Sequence, residues 1–295
     1  MSALAFDNPR LRELRRLIGR RSSRHEAGRF VVEGPVLVAE AVAAGWTCEA
    51  QFVGVGPDGA PQPGVDGAGP VVELAPGVLE RVASTQTPQS PIAIVVIRRH
   101  PPVDELLAAA SFVVALERIR DPGNLGTILR SAEAAGADLV VVSPGSVDPY
   151  SPKVVRSSAG ALFHVPVVEA TLDDVASAGL TTIGTTSHDT PGRTVTPYTE
   201  TDLTGRIAIV SGNEAAGLPD DWTDDVGPIR RWTTIPHRGR SESLNVAMAT
   251  TLLVFEAARQ RTGPQPAPST SNESELTDGE AVVATDGAQR SSNGG

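Results

Sequence analysis

From Phe112 to Arg261 the chain alternates short apolar runs with amphipathic stretches, and three of the joins between them are dense in Gly, Pro, Asn and Ser. Alternation of this kind restricts the segment to an α/β layer architecture. The first join follows the apolar strand Phe112–Leu116. It reads Glu117-Arg118-Ile119-Arg120-Asp121-Pro122-Gly123-Asn124-Leu125-Gly126-Thr127-Ile128-Leu129-Arg130. It opens a helix that Gly136 is suited to end as a left-handed C-cap. The second follows a strand over 207–210 and reads Ser211-Gly212-Asn213-Glu214-Ala215-Ala216-Gly217-Leu218-Pro219. The third reads Ile235-Pro236-His237-Arg238-Gly239-Arg240-Ser241-Glu242-Ser243-Leu244-Asn245-Val246. The helix after it sets Leu244, Met248, Thr251, Leu252 and Phe255 on one apolar face. Helix starts leave backbone N–H groups unpaired and strand ends open onto a crevice, so polar groups packed there are placed to hold a ligand.

The spacing predicts further strands over 138–142, 164–168 and 181–185, with His164 a packed core residue. Ser151-Pro152 starts a short helix carrying Lys153 and Arg156. Before this lies a small α/β domain over 1–99. Asn8-Pro9 caps a helix stopped by Gly19, with Leu11, Leu14 and Ile18 inward and Arg12, Arg15 and Arg16 outward. Strands are expected over 30–33, 51–55, 71–74 and 92–97, and helices over 35–44 and 79–83. Residues 100–111 read as a linker and 112–262 as the second domain. Gly54-x-Gly56-x-x-Gly59 imitates a dinucleotide fingerprint, but Pro57, Pro61 and Pro63 forbid the helix that must follow it. Residues 263–295 hold no aromatic residue and much acid, and are expected to be disordered.

The net charge of −10 speaks against nucleic acid only as a sum. Arg10, Arg12, Arg15, Arg16, Arg20, Arg21, Arg24 and Arg29 face only Asp7, Glu13 and Glu26 within the first 30 residues. Screening confines a field to roughly 8–10 Å, so this local face decides binding. Cys48 is the only cysteine, so an intrachain disulfide is excluded. The chain shows no long apolar run and no secretory leader, and it reads as cytoplasmic without membrane attachment. The five histidines lack zinc spacing, so no metal is expected, and no phosphate loop or nucleophile elbow occurs.

Taken in order, Asn-Leu-Gly-Thr-Ile-Leu-Arg, Gly-Asn-Glu-Ala-Ala-Gly-Leu and Ser-Leu-Asn-Val resemble the three motifs of the SpoU family of the SPOUT class, the RNA ribose 2′-O-methyltransferases. The segment Phe30-Val31-Val32-Glu33-Gly34-Pro35 resembles the family's accessory RNA-binding domain, which is ribosomal-protein-like. The resemblance implies an enzyme with a parallel-sheet α/β domain closed by a trefoil knot, S-adenosylmethionine as cofactor, and a homodimer. It implies catalytic roles for Asn124, Arg130, Glu214, Ser243 and Asn245. Cofactor contacts are implied at Gly212, Gly217, Ile235, Ser243 and Leu244. His237 stands where the family commonly has Met, and Ala247 where it often has Ser.

Substrate RNA would meet Arg12, Arg15, Arg16, Arg20, Arg21, Lys153 and Arg156. Within the family the accessory domain favours 23S ribosomal RNA as substrate. A tRNA methyltransferase, a thiopeptide-resistance rRNA methyltransferase and a catalytically silent RNA-binding protein are the alternatives. Arg130 is credited with activating the ribose hydroxyl. A guanidinium has a pKa above about 12, so it acts either as a base in a special environment or as a stabiliser of the developing alkoxide. Taken alone, Ser243 and Asn245 read as helix-start capping residues.

Overall fold

The computed structural model describes residues 3–187, 190–240 and 243–262. The expected disorder of 263–295 lies outside them, as do Ser241 and Glu242. The N-terminal part runs α1 (Pro9–Gly19), α2 (Arg21–Ala27), β1 (Arg29–Glu33), α3 (Pro35–Ala43), β2 (Cys48–Val53), β3 (Val71–Glu73), α4 (Val78–Val82) and β4 (Ile92–Val96). Asn8 caps α1 by accepting from the Arg10 N–H at 2.9 Å, and Pro9 fixes its first turn. The residues α1 buries are Leu11, Leu14 and Leu17. Ile18, expected inward, is only half-buried, because a further 100° of helix rotation carries it off the stripe.

The four strands order as β1-β4-β2-β3. Strand alternation gives this sheet two different faces. Val31, Phe52, Ile92 and Ile94 cover α1 and α4. Phe30, Val32, Ala93 and Val95 turn the other way and join the core of the C-terminal part.

That part continues with α5 (Val103–Ala109), β5 (Phe112–Leu116), α6 (Pro122–Ala134), β6 (Leu139–Val142), α7 (Pro152–Ser157), β7 (Val167–Glu169), α8 (Leu172–Ser177), β8 (Thr181–Thr185), β9 (Val195–Pro197), β10 (Ile207–Ser211), β11 (Arg231–Thr234) and α9 (Val246–Thr262). Helix α5 occupies most of the expected linker. Its seven residues, with Asp104 and Glu105 in the first turn, are too short a run to show a helical period, and only Leu107 is fully buried. Gly136, at φ 76°, follows α6 as expected.

Seven strands order as β7-β6-β5-β10-β8-β11-β9, every pair parallel. A parallel sheet is covered on both faces, which is why β5, β6 and β10 read as unbroken apolar runs. Phe112, Val114, Val140 and Ile209 face α6 and α9, while Val113, Val141, Ala208 and Trp232 belong to the opposite core beside α5 and α8. From β5 the chain steps outward through β6 and β7, then returns to build β8 and β10 on the other side. The crevice outside the strand ends therefore opens between β5 and β10.

A buried ion pair and an aromatic cluster weld the two sheets into one unit. Arg24 donates from Nε to Asp148 Oδ2 at 2.6 Å and from Nη1 to the Leu17 carbonyl at 2.7 Å, both side chains being about 5% exposed. This removes Arg24 from the expected phosphate-binding face, because a guanidinium buried to that degree needs a carboxylate partner. Phe30 packs on Trp46 and Tyr150 at 5.7 and 5.0 Å between ring centres, and Trp46 Nε1 donates to the Phe163 carbonyl. His164 is not a core residue. It lies before β7, is about 41% exposed and meets Glu40 at 2.6 Å.

Helix α9 departs from expectation more sharply. It buries Ala247, Thr250, Leu253, Val254 and Ala257, while Met248, Leu252 and Phe255 stand 63, 41 and 47% exposed. The apolar stripe legible in the sequence is the outer one.

Candidate functional site

The C-terminal ends of β8, β10 and β11 and the start of α9 enclose a cavity of about 180 Å³. Thr185, Gly212, Gly217, Leu218, Ile235, Ser243, Leu244 and Leu253 line it. Expected cofactor residues Gly212, Gly217, Ile235, Ser243 and Leu244 thus share one wall system. Gly212 is required by space: a Cβ there would lie 2.3 Å from the Gly217 carbonyl carbon. Gly217 sits at φ 67° and closes a tight turn with Asn213 through paired backbone bonds of 3.1 and 2.9 Å. Asn213 Oδ1 accepts from the N–H groups of Ala215 and Ala216, fixing the turn from within.

A residue the sequence did not single out completes the wall. Arg193 lies over the Trp232 ring at 3.9 Å and donates to the carbonyls of Trp222 and Pro219. It straps the loop after β8 to the segment after β10. Burial lowers its pKa, against the raising effect of Asp220 and Asp221. An isolated Arg in a Thr-rich loop carries no local signal that would have marked it.

Beside the cavity, one side chain from each motif joins a single hydrogen-bond chain. Glu214 accepts from the backbone N–H groups of Arg120 and Asp121 and from Asn124 Nδ2 at 3.2 Å. Asn124 Oδ1 accepts from Asn245 Nδ2 at 3.0 Å. Asn245 Oδ1 then caps α9 by accepting from Ala247 and Met248. Asn245 is thus a helix cap, and its side chain is also tied to Asn124 of the first motif. Asp121 caps α6 in the same way, accepting from the Asn124 N–H at 2.9 Å.

Partial burial pushes the Glu214 carboxyl up, but donors from Asp121, its own backbone, Asn124 and Arg120 outweigh this and hold it below the usual carboxylate range. It anchors the 120–124 segment. It orients Asn124, and no contact with Arg130 accompanies it.

Arg130 projects from the third turn of α6 into solvent, without a hydrogen bond or ion pair among the described residues. Its neighbour Ser131 meets Thr251 of α9 at 2.6 Å. Helix α7 abuts the start of α6, where Ser157 Oγ donates to the Pro122 carbonyl, and a Cβ on Gly126 would meet that Oγ at 2.0 Å.

Of the expected RNA contacts, Arg12, Arg15, Arg16 and Arg20 are exposed on or just after α1. Arg15 and Arg81 both stack on Phe6, at 4.6 and 3.6 Å. Arg21 pairs with Glu169, Lys153 lies 3.8 Å from Asp121, and Arg156 donates to Ser84 of the N-terminal part. No group of three potential metal ligands occurs among the described residues, and no described helix is long and apolar enough to cross a membrane.

Residues 111–255 match the model of the SpoU rRNA Methylase family, and residues 8–93 that of the MRM3-like substrate binding domain. The chain is similar to the 23S rRNA (guanosine(2553)-2′-O)-methyltransferase RlmP of Bacillus subtilis, 35% identical over 189 residues, covering 62% of this chain and 70% of that one. It is 30% identical over 281 residues to the 23S rRNA (uridine(2479)-2′-O)-methyltransferase of Streptomyces viridochromogenes, covering 86% and 91%. Among solved structures it resembles the AdoMet-bound rRNA methyltransferase from Sinorhizobium meliloti, with a TM-score of 0.73, 29% identity and coverage of 86% and 96%. It also resembles the SpoU methyltransferase AviRb from Streptomyces viridochromogenes in complex with AdoMet, with a TM-score of 0.72, 29% identity and coverage of 86% and 98%.

Proposed function

The chain belongs to the SpoU rRNA methylase family, and on that premise we propose that it transfers a methyl group from S-adenosylmethionine to a ribose 2′-oxygen of 23S ribosomal RNA. The observation that carries this reading is the Glu214–Asn124–Asn245 chain set against the cavity. It unites all three motifs at one crevice. The cavity suits the cofactor, with Leu218, Ile235, Leu244 and Leu253 as apolar walls and bare backbone at Gly212. S-adenosylmethionine supplies the methyl group on a sulfonium, and the protein supplies binding and alignment.

We assign Arg130 to stabilising the alkoxide that develops on the ribose, since a guanidinium keeps its proton in proteins and donates a planar fork. Asn124, fixed between Glu214 and Asn245, orients the ribose, and Ser243 closes the cofactor side. Residues 1–99 supply RNA affinity through Arg12, Arg15, Arg16, Arg20 and Arg21, with Lys153 and Arg156 nearer the site. Residues 112–262 supply the chemistry.

The enzyme works as a homodimer in the cytoplasm. The exposed stripe Met248, Leu252 and Phe255 supports the dimer, because the opposite face of α9 is already buried within the chain through Ala247, Thr250, Val254 and Ala257.

The two relatives differ in the base they modify, so the assay must read every ribose. Purified protein, S-adenosylmethionine and transcribed 23S rRNA should give one new 2′-O-methyl nucleotide by mass spectrometry. No methyl incorporation into that RNA, with cofactor bound, would defeat the proposal.

A further inference from the structure

Arg118 has no part in the chemistry assigned above, yet its backbone is held in an unusual conformation. Its φ is 51°, in the left-handed region, a conformation that among described non-glycine residues only Ala159 shares. An L-residue with a long side chain avoids this region, because Cβ crowds the following carbonyl. Here the conformation is imposed from both sides. The Arg118 N–H donates to Ser143 Oγ at 2.8 Å, and its carbonyl accepts from Asn213 Nδ2 at 2.8 Å. Glycine would make both bonds without the crowding. What the position keeps by holding arginine is the side chain, and strain retained at a crevice points to use there.

That side chain is 66% exposed. Its Nε meets Glu117 at 3.2 Å, and its two terminal nitrogens make no hydrogen bond to protein among the described residues. Two residues later, the N–H groups of Arg120 and Asp121 hold Glu214, and Asn124 follows. Arg118 therefore lies just past the end of β5, on the loop that also carries Asn124 and holds Glu214, beside the crevice into which the target ribose must enter. A planar fork of donors suits a phosphate.

We propose that Arg118 binds a backbone phosphate of the substrate RNA beside the target ribose, and that its left-handed backbone aims it there. The proposal rests on the methyltransferase reading above. Arg118 acts as a positioning residue for the RNA and does not touch the cofactor cavity.

The test compares Arg118→Ala, which keeps the crowded backbone, with Arg118→Gly, which relieves it, both in the full chain. Both variants should bind transcribed 23S rRNA more weakly, with the log–log salt slope reduced by about one. The KM for RNA should rise while calorimetric binding of S-adenosylmethionine stays unchanged. Arg118→Gly should melt about 2–4 °C above Arg118→Ala. A residue with a merely structural role would shift melting without changing the salt slope.

An unchanged slope and KM in Arg118→Ala, with wild-type protein methylating the RNA, would overturn this inference alone. A Gly variant that melts no higher than the Ala variant would overturn the argument from strain. Failure of the wild-type protein to methylate RNA would remove the functional reading, and this inference with it.

Discussion

Gly212→Ala is the most informative single change to the cavity. The new Cβ would lie 2.3 Å from the Gly217 carbonyl carbon and 2.4 Å from both the Gly217 oxygen and the Leu218 nitrogen. Non-bonded carbons rest about 3.5–4.0 Å apart, so the 212–218 turn must retreat by roughly 1 Å or more. All three atoms are backbone, so no side-chain rotation relieves the contact. Retreat breaks the two bonds between Asn213 and Gly217, of 3.1 and 2.9 Å. At about 1 kcal/mol for each bond, these contribute about 2 kcal/mol. Overpacking adds about 1–3 kcal/mol. The sum, about 3–5 kcal/mol, corresponds to a fall in Tm of roughly 6–20 °C for a unit of this size. Because the turn is also a cavity wall, affinity for S-adenosylmethionine should fall by at least about tenfold, or roughly 1.4 kcal/mol. Scanning calorimetry and titration calorimetry read the two effects. Gly205→Ala is the control, since a Cβ there meets nothing within 4 Å. If Gly212→Ala melted and bound cofactor like the control, the account of this turn would be wrong.

Three further outcomes are expected. Arg130→Ala should abolish methyl transfer while cofactor affinity and Tm stay near wild type, because the side chain has no partner to lose among the described residues; single-turnover assays on the RNA check this. Glu214 titrates below the usual carboxylate range, so the stability it contributes is complete above its unfolded value of about 4.3 and is lost as pH falls through its lower folded value. Wild-type Tm should therefore drop more than that of Glu214→Gln between about pH 6 and about pH 3, and a parallel fall in the two proteins would contradict the anchoring role. Leu252→Glu places a charge in the exposed α9 stripe and should shift light-scattering mass from dimer to monomer; a wild-type protein that is monomeric at micromolar concentration would remove the basis for that expectation.

The caps and turn glycines around the site were legible because they act locally, whereas the bonds that join Glu214, Asn124 and Asn245 span 90 and 121 positions and came into view only through the family resemblance. Asp121, Asn245 and Asn8 cap the helices they precede, and Gly136 and Gly217 answer a backbone demand at their own positions. Residues whose roles depend on distant partners were not legible. Arg24 looked like one more basic surface residue, yet its partner Asp148 is 124 positions away. Arg193 gains its role from Trp222, Pro219 and Trp232. Helix α9 misled for a different reason. It is apolar on two faces, one covering β10 and α6 and one left outside, and periodicity favours the face with the larger side chains. Strand β9, three half-buried residues at the sheet edge, is too short for any pattern to show.

The pairing of Arg24 with Asp148 limits how such enzymes can be recombined. An engineer seeking a new target would exchange the end that matches the MRM3-like substrate binding domain and cut near residue 100, where the sequence changes character. That cut leaves the buried Asp148 facing whatever the donor chain happens to offer. A carboxylate stranded in this way costs about 3–5 kcal/mol, a large share of the 5–15 kcal/mol that typically holds a domain together. A workable chimera must therefore bring helix α2 and the 146–150 segment from the same parent. The inheritable unit is drawn by the ion pair, and it spans both sheets.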